Sequence, residues 1–334
     1  MARFGWAFVA ALICAAGGFG ARAADKVSLG QVISIAQAPY YVALEKGYFA
    51  KAGIEIDSGN FRGGQDMVSS LATGQLDVGL GAFNAGFFNA ASKGLDMRAV
   101  AALGAQPKAA IIATPPLVRT ELWDNGTIRS GKDFKGRKIA VNTPGATPEY
   151  TLSLILEKYG MTLKDVDETM IGFPQMVIAL ANKSVDVAFV TSPFHAIALR
   201  DKTAVVLTPD ANVTGGDITT VVFFSGKFMR ERPQVGERFL RALVQGAKDT
   251  QGDYTKRPEM AQLLAKATGL KLQDIEESHV FAFTKDLDID RYRDSIRRQE
   301  AQHMKDGRLD YTKPVPMDKM IDASLIKKAL ASAN

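Results

Sequence analysis

A stretch of this chain is written twice, 109 residues apart. The octapeptide VISIAQAP, Val32 to Pro39, aligns without a gap on VNTPGATP, Val141 to Pro148. The same shift returns in a second block, where GGQDMVSSLATGQLDVGL from Gly63 lies on GFPQMVIALANKSVDVAF from Gly172, with Met, Val, Leu, Ala, Asp and Val repeated. One spacing recovered in two separate blocks marks a duplicated structural unit rather than a shared composition.

Each copy reads as strand, helix, strand, helix, strand. The apolar runs Val27 to Ile33 and Lys138 to Val141 predict the first strands. A polar loop follows, and then Pro39 or Pro148 stands in the first helical turn, where its missing N–H costs nothing. Thr147 is expected to cap the second of these helices. Ile54 to Asp57 and Glu168 to Ile171 predict the second strands, the runs around Met67, Val68, Leu71 and Met176, Val177, Leu180 the second helices, and Leu76 to Leu80 and Val185 to Val190 the last strands. This alternation predicts an α/β chain of two lobes, each a mostly parallel sheet flanked by helices. The expected division is residues 24–112 plus 222–334 for lobe one and 113–221 for lobe two. The chain leaves lobe one near Ile111 to Thr114 and returns near Thr219 to Phe224, giving two hinge crossovers. Ligands of parallel sheets bind outside the carboxyl ends of the strands, beside helix N-termini. Two facing lobes would therefore share one cleft.

The opening MARFGWAFVAALICAAGGFGARA is set apart from the fold. It has a basic start at Arg3, an apolar run from Phe4 to Phe19 too short to cross a bilayer, and the small-x-small site Ala21-Arg22-Ala23. It reads as a signal peptide over 1–23 that sends a mature chain starting at Ala24 to the periplasm. Cys14 is the chain's one cysteine, and Ile13 before it disfavours a lipid anchor. The mature chain would thus hold no disulfide, thiolate metal site or cysteine nucleophile. Losing the segment removes two arginines and no acid from 41 basic and 36 acidic residues. That small excess lacks the basic stripe of a nucleic-acid binder. The densest basic run, Arg291, Arg293, Arg297 and Arg298, is interleaved with Asp290, Asp294 and Glu300 and reads as a solvated helix face.

The stretches APYYVALEKGYFAKAGIEI, GGQDMVSSLATGQLDVGL, DFKGRKIAVNTPGATPEYTLSLILEKYG and PQMVIALANKSVDVAFV resemble the nitrate/sulfonate/taurine-type solute-binding proteins of bacterial ABC transporters. The resemblance spans nearly all of the mature chain. It implies the type II periplasmic-binding-protein fold with two crossovers, capture of a small organic anion such as a sulfonate, carboxylate or nitrate, and delivery to a permease in the inner membrane. The chain is expected to be a monomer without cofactor or metal. Its ligand contacts would come from the loops after the strands, which the strand reading selects independently: Ser34 to Tyr40, Arg62 to Gln65 and Ala82 to Asn84, then Asn142 to Thr147, Gly172 to Pro174 and Thr191 to His195.

Within those loops Arg62 is the sharpest candidate, since a guanidinium beside Gly63 and Gly64 at a helix start suits an oxyanion. Asp66 is its competing partner. Ser34, Gln37, Asn84, Asn142, Thr143, Thr147, Thr191 and Ser192 offer amides and hydroxyls, and Gly145 a main-chain N–H. Tyr40, Phe83 and Phe173 could cover the apolar part of a ligand. His195 could donate to an anion or stand at a surface helix start, while His279 and His303 are too distant in sequence to suggest a metal set. Asp77 and Asp186 read as turn aspartates at the far ends of their strands, not as a catalytic pair. An enzyme on this fold, in the manner of the thiamine-pyrimidine synthases, would need their cysteine-rich motif. A regulator's sensing domain would need a helix-turn-helix where the export segment stands. A neutral heterocycle such as a thiamine-type pyrimidine remains the alternative ligand if Arg62 points away.

Overall fold

The computed structural model describes residues 23–105 and 113–332. The expected export segment, Cys14 included, lies outside them except for Ala23, as does Ile111 in the first crossover. In chain order the strands are β1 (Asp25–Gln31), β2 (Ile54–Asn60), β3 (Val78–Gly81), β4 (Met97–Ala105), β5 (Pro116–Arg119), β6 (Lys138–Val141), β7 (Asp167–Met170), β8 (Val187–Phe189), β9 (Ala204–Val206) and β10 (Ile218–Ser225). They form two five-stranded sheets, ordered β2-β1-β3-β10-β4 and β7-β6-β8-β5-β9. The chain is a two-lobed α/β protein of the expected class.

Each sheet is mixed in the same way. β1 pairs parallel with β2 and β3, and β6 with β7 and β8. β10 runs antiparallel to β3 and β4, and β5 antiparallel to β8 and β9. The reversed strand is in each sheet the one on which a crossover lands. The whole of β10 pairs within the first sheet.

The helices that position the cleft are α1 (Ala38–Glu45), α2 (Val68–Ala72), α3 (Ala85–Ser92), α4 (Thr147–Glu157), α5 (Phe173–Ala181) and α6 (Phe194–Arg200). Ala38 and Thr147, which open α1 and α4, stand 109 residues apart. So do Gly64, opening the turn into α2, and Phe173 of α5, the first residues of β3 and β8, and those of α3 and α6. The duplication therefore extends one helix beyond the repeated letters. Thr147 is the first residue of α4, not its cap; Ala146 holds the cap position and makes no side-chain bond there. Pro148 next to it needs no donor, being within the first turn.

Alternation along the strands assigns the two faces of the second sheet. Leu117, Ala140 and Ala188 face one cluster with Phe173 and Phe194. Val118, Ile139, Val141, Val187 and Phe189 face the other, with Leu152 and Leu156 of α4. The first lobe's larger core also takes in α7 (Pro233–Asp249) and α8 (Pro258–Thr268). Buried Phe239, Leu240, Leu243, Val244 and Ala247 give α7 its inner stripe.

Two further features tie the lobes. Buried Asp210, between β9 and β10, accepts from the main-chain N–H groups of Ala113 (3.0 Å) and Thr114 (2.8 Å) in the other crossover. The last third of the chain also reaches across. In α9 (Arg293–Lys305), Gln302 donates to Ser153 Oγ at 2.8 Å and Lys305 pairs with Glu157 at 2.6 Å, both on α4. This corrects the reading of the charged run as a merely solvated face. Glu300 is 1% exposed and accepts from Tyr311 and the Val315 N–H, and Arg298 pairs with buried Asp217.

Candidate functional site

The two sets of strand-end loops meet face to face. The N–H of Ile35 donates to the carbonyl of Ser192 at 3.2 Å, and Ser34 Oγ lies 3.1 Å from Thr191 Oγ1. Asn142 Nδ2 donates to the Arg62 carbonyl at 3.4 Å. Gly63 fits here because it has no side chain: a Cβ would stand 2.7 Å from Thr143 Cγ2 and 3.0 Å from Asn142 Nδ2. At Gly145, with φ +65°, a Cβ would stand 2.5 Å from the main-chain nitrogen of Ala85. That backbone angle and the closeness of the other lobe both require glycine.

Between the loops lies a cavity of about 60 Å³. Ser34, Gln37, Gly64, Asn142, Thr147, Phe173 and Thr191 line it, as expected from the sequence, together with Thr114, Thr219, Thr220 and Phe281, which were not. The two crossovers are expected near Thr114 and Thr219, and both of these buried residues line the cavity that the crossovers pass. No periodic signal marks Phe281, in an irregular segment after α8.

No charged side chain is in this lining. Its hydroxyl protons are largely spent on protein acceptors. Thr114 donates to Thr191 (3.2 Å), Ser34 to the Ser192 carbonyl (3.1 Å), Thr219 to the Gly104 carbonyl (3.2 Å) and Thr147 weakly to the Thr219 carbonyl (3.5 Å). With Ser34 so committed, Thr191 is left to donate to Ser34 Oγ. Gln37 Nε2 donates to the Leu80 carbonyl at 3.2 Å, which fixes the amide's orientation and leaves the buried Oε1 without a partner. Asn142 Oδ1 and Thr143 Oγ1 are likewise buried and unpartnered.

Other expected residues lie elsewhere. The exposed guanidinium of Arg62 pairs with Asp66 at 3.4 Å, and the residue lines a second groove with Phe61 and Gly172 to Gln175, which shares Val32 and Phe173 with the cavity. The N–H of Gly145 is taken by Glu149 Oε2 at 2.6 Å. Tyr40 is a core residue, its ring 5.3 Å from Tyr41 and 6.0 Å from Phe49. Phe83 packs edge-on against Phe87 and Phe223, and Asn84 caps α3 by accepting from the Phe87 N–H at 3.0 Å. Ser192 donates to the His279 carbonyl at 2.6 Å. His195 is neither exposed nor in the lining: it is fully buried, its Nε2 2.9 Å from His279 Nδ1, and burial followed by that neighbour pulls its pKa down to about 3. The fold thus brings together two histidines 84 residues apart. Asp77 accepts from the Ser28 N–H (2.9 Å) and Asp186 from the Lys138 N–H (3.1 Å), each also holding an arginine, Arg232 and Arg119. Both serve their strand starts.

Beneath the second lobe's first loop sits a charge cluster that sequence reasoning missed. Glu149, 1% exposed, is held by Arg308 at 2.6 Å, and Arg308 also reaches Glu168 at 2.8 Å. Burial, then the neighbouring Glu149 carboxylate, pushes Glu168 up to about 7. Tyr40, the counterpart of Glu149 in the other copy, gave no hint of an acid.

A model of the NMT1/THI5-like family matches residues 34–259. The riboflavin-binding protein RibY of Chloroflexus aurantiacus is 28% identical over 233 residues, 67% of this chain and 61% of that protein, so the match spans less than two thirds of the relative's length. The periplasmic nitrate-binding protein NrtA of Synechocystis PCC 6803 superposes with a TM-score of 0.76 at 15% identity, over 92% of this chain and 89% of that one. The alkanesulfonate-binding protein SsuA of Xanthomonas axonopodis pv. citri, bound to MOPS, gives 0.68 at 18%, over 88% and 98%. The desulfurization enzyme DSZB gives 0.62 at 16%, over 93% and 100%. At such identities these structures establish a shared fold alone.

Proposed function

The chain belongs to the NMT1/THI5-like family, and on that footing we propose that it is the extracytoplasmic solute-binding component of an ABC importer. It closes its lobes on one small organic molecule and hands it, chemically unchanged, to an inner-membrane permease. The observation that carries this reading is the cavity between the lobes, lined by both sets of strand-end loops and both crossovers. A site split in this way couples occupancy to closure, because only the closed state offers contacts from both sides. Of the two ligand classes weighed from the sequence, the uncharged lining supports a neutral heterocycle over an anion. Two of the groups first assigned to an anion along with the N–H groups of Gly63 and Gly64, the Arg62 guanidinium and the Gly145 N–H, are engaged by Asp66 and Glu149.

Gly63→Ala tests the closure. Its methyl group would overlap Thr143 in the closed state alone, so the variant should fold normally yet bind at least about tenfold more weakly, the cost of roughly 1.4 kcal/mol of misfit. Small-angle scattering should show that it stays extended where the parent contracts. Thr143→Ala in the same chain removes the overlapping atoms and should restore much of the contraction. Equal contraction in parent and variant would sink the closure reading, and turnover of the ligand would replace it with an enzyme.

A further inference from the structure

Resting on the closure proposed above, the geometry points to a proton-controlled latch between the lobes: we propose that His195 and His279 hold the cleft shut while they carry no more than one added proton between them, and that a second proton opens it.

The pair stands in a seam beside the cavity. Phe194 and Ala198 root α6 in the second lobe's core, and Ile275 and Phe281 root the segment 272–281 in the first lobe's. Across this boundary His195 Nε2 lies 2.9 Å from His279 Nδ1, Ser192 donates to the His279 carbonyl at 2.6 Å, and Arg200 reaches Asp274 at 2.7 Å and Glu277 at 3.1 Å. A neutral pair has one hydrogen at the ring contact. So does a singly protonated pair, in which an imidazolium donates to its neutral neighbour. With both rings protonated, each of the two nitrogens carries a hydrogen, the bond is gone, and two like charges meet at the fully buried His195.

Burial, then His279, holds His195 far below the ordinary histidine value, at about 3, and burial, then Lys256, lowers His279. A closed state whose histidine pKa lies below that of the open state binds fewer protons. Its advantage is therefore complete above the ordinary value of about 6.5 and is lost as pH falls below it. Acid has access to the pair because His279 is only half-buried and lines a cavity of about 570 Å³, which shares Phe281 with the cleft. Asp253 and Lys256, on the turn after α7, face His279 with opposite signs. Arg200 on α6 is matched by Asp201, Asp274 and Glu277, and exposed Glu276 lies on the short helix Leu272–Glu276. α5 and β9, also packed on α6, carry no ionisable residue.

Trapping the closed state tests the latch. Cys14, the chain's one cysteine, falls in the expected export segment. Gly63→Cys with Thr143→Cys therefore gives the mature protein a single thiol pair, placed where a Cβ at 63 would meet the Thr143 side chain of the other lobe. In dipyridyl disulfide, an oxidant active in acid, the pair should join only when the lobes close. Between pH 7.5 and 5 the joining rate should fall at least about tenfold more in this protein than in the same protein carrying His195→Gln or His195→Phe, since one extra proton on the open state weighs about thirtyfold over that interval. Thiol chemistry, Glu168 and His303 are common to all three proteins and cancel. One replacement keeps a hydrogen-bonding group and the other a ring, and melting of each guards against a misfolded variant. In the joined protein the His195 ring resonance should show no protonation down to pH 5, and reduction of the disulfide should let it titrate near 6.5; the variants assign it among the chain's three histidines. Equal slowing in all three proteins, or a His195 that titrates alike in joined and reduced protein, would overturn the latch and leave the binding-protein reading standing. Thiols that join at neither pH would remove closure, and the latch with it.

Discussion

Tyr40 and Glu149 occupy the same place in the two copies of the repeated unit, each one turn into the helix below the first cleft loop. In lobe one the loop is held by a neutral group, Ser34, whose hydroxyl accepts from the Ala36 N–H at 3.1 Å, and Tyr40 beneath it packs into an aromatic core. In lobe two the loop is held by a buried carboxylate: Glu149 accepts from Gly145 and needs Arg308, 159 residues later, to compensate its charge. One copy finishes its loop with local residues, and the other borrows from the chain's tail. A duplicated unit need not remain two equal folding units, since a single buried charge makes its copy depend on whatever segment supplies the counterion.

The largest expected effect follows from removing that counterion. Arg308→Met leaves Glu149 buried and uncompensated, a change that typically costs about 3 kcal/mol or more. Chemical denaturation should show the loss, and hydrogen exchange should place it in residues 142–157 while residues 34–45 stay protected. Uniform loss of protection across both lobes would break the comparison. Adding Glu149→Gln should recover part of the stability, because the two residues share one interaction.

A smaller effect concerns pH. The folded pKa of Glu168, about 7, lies above its ordinary 4.5, so the protonated form is the one favoured by folding. Its stabilising contribution is therefore complete below about 4.5 and is lost as pH rises through about 7. Melting temperatures should decline over that window, and Glu168→Gln, which keeps a neutral side chain at every pH, should flatten the decline. A parent curve that rises between pH 5 and 7 and is unaltered by the substitution would contradict this assignment.

The smallest effect is expected at Arg62. Its partner Asp66 lies on the surface, where such pairs contribute about 0 to 1 kcal/mol. Arg62→Ala should change stability by no more than that and ligand affinity by less than about threefold. A hundredfold loss of affinity would move the guanidinium into the cleft and restore lobe one's loop to the anion role first read from FRGGQD.

What the sequence made legible was whatever repeats or alternates. The spacing of 109 predicted three of the five strands of each sheet, the proline-started helices and the loops that meet in the cleft, because period and turn chemistry are local properties. Gln37, Asn142, Thr147 and Thr191 were found through their position after strands. Arg62 was over-read, since FRGGQD fits an i,i+4 ion pair as well as an anion site and only the fold shows which way the side chain lies. Glu149 and Arg308, like His195 and His279, were illegible for a different reason. Their partners lie far away in the chain, and no pattern within one segment records which distant residue will be buried against it. Phe281 reaches the cavity on an irregular segment and escaped for the same cause.

Asp210 gives the molecule its mechanical character. By accepting from Ala113 and Thr114 in the opposite crossover, its carboxylate splices two otherwise separate tethers into a single axle. Two independent tethers would let the halves twist, slide and splay. A spliced pair would suppress shear and leave bending as the soft coordinate, so that under the closure proposed above the occupancy of the cleft would be expressed in one angle, open to a docking partner from the outside.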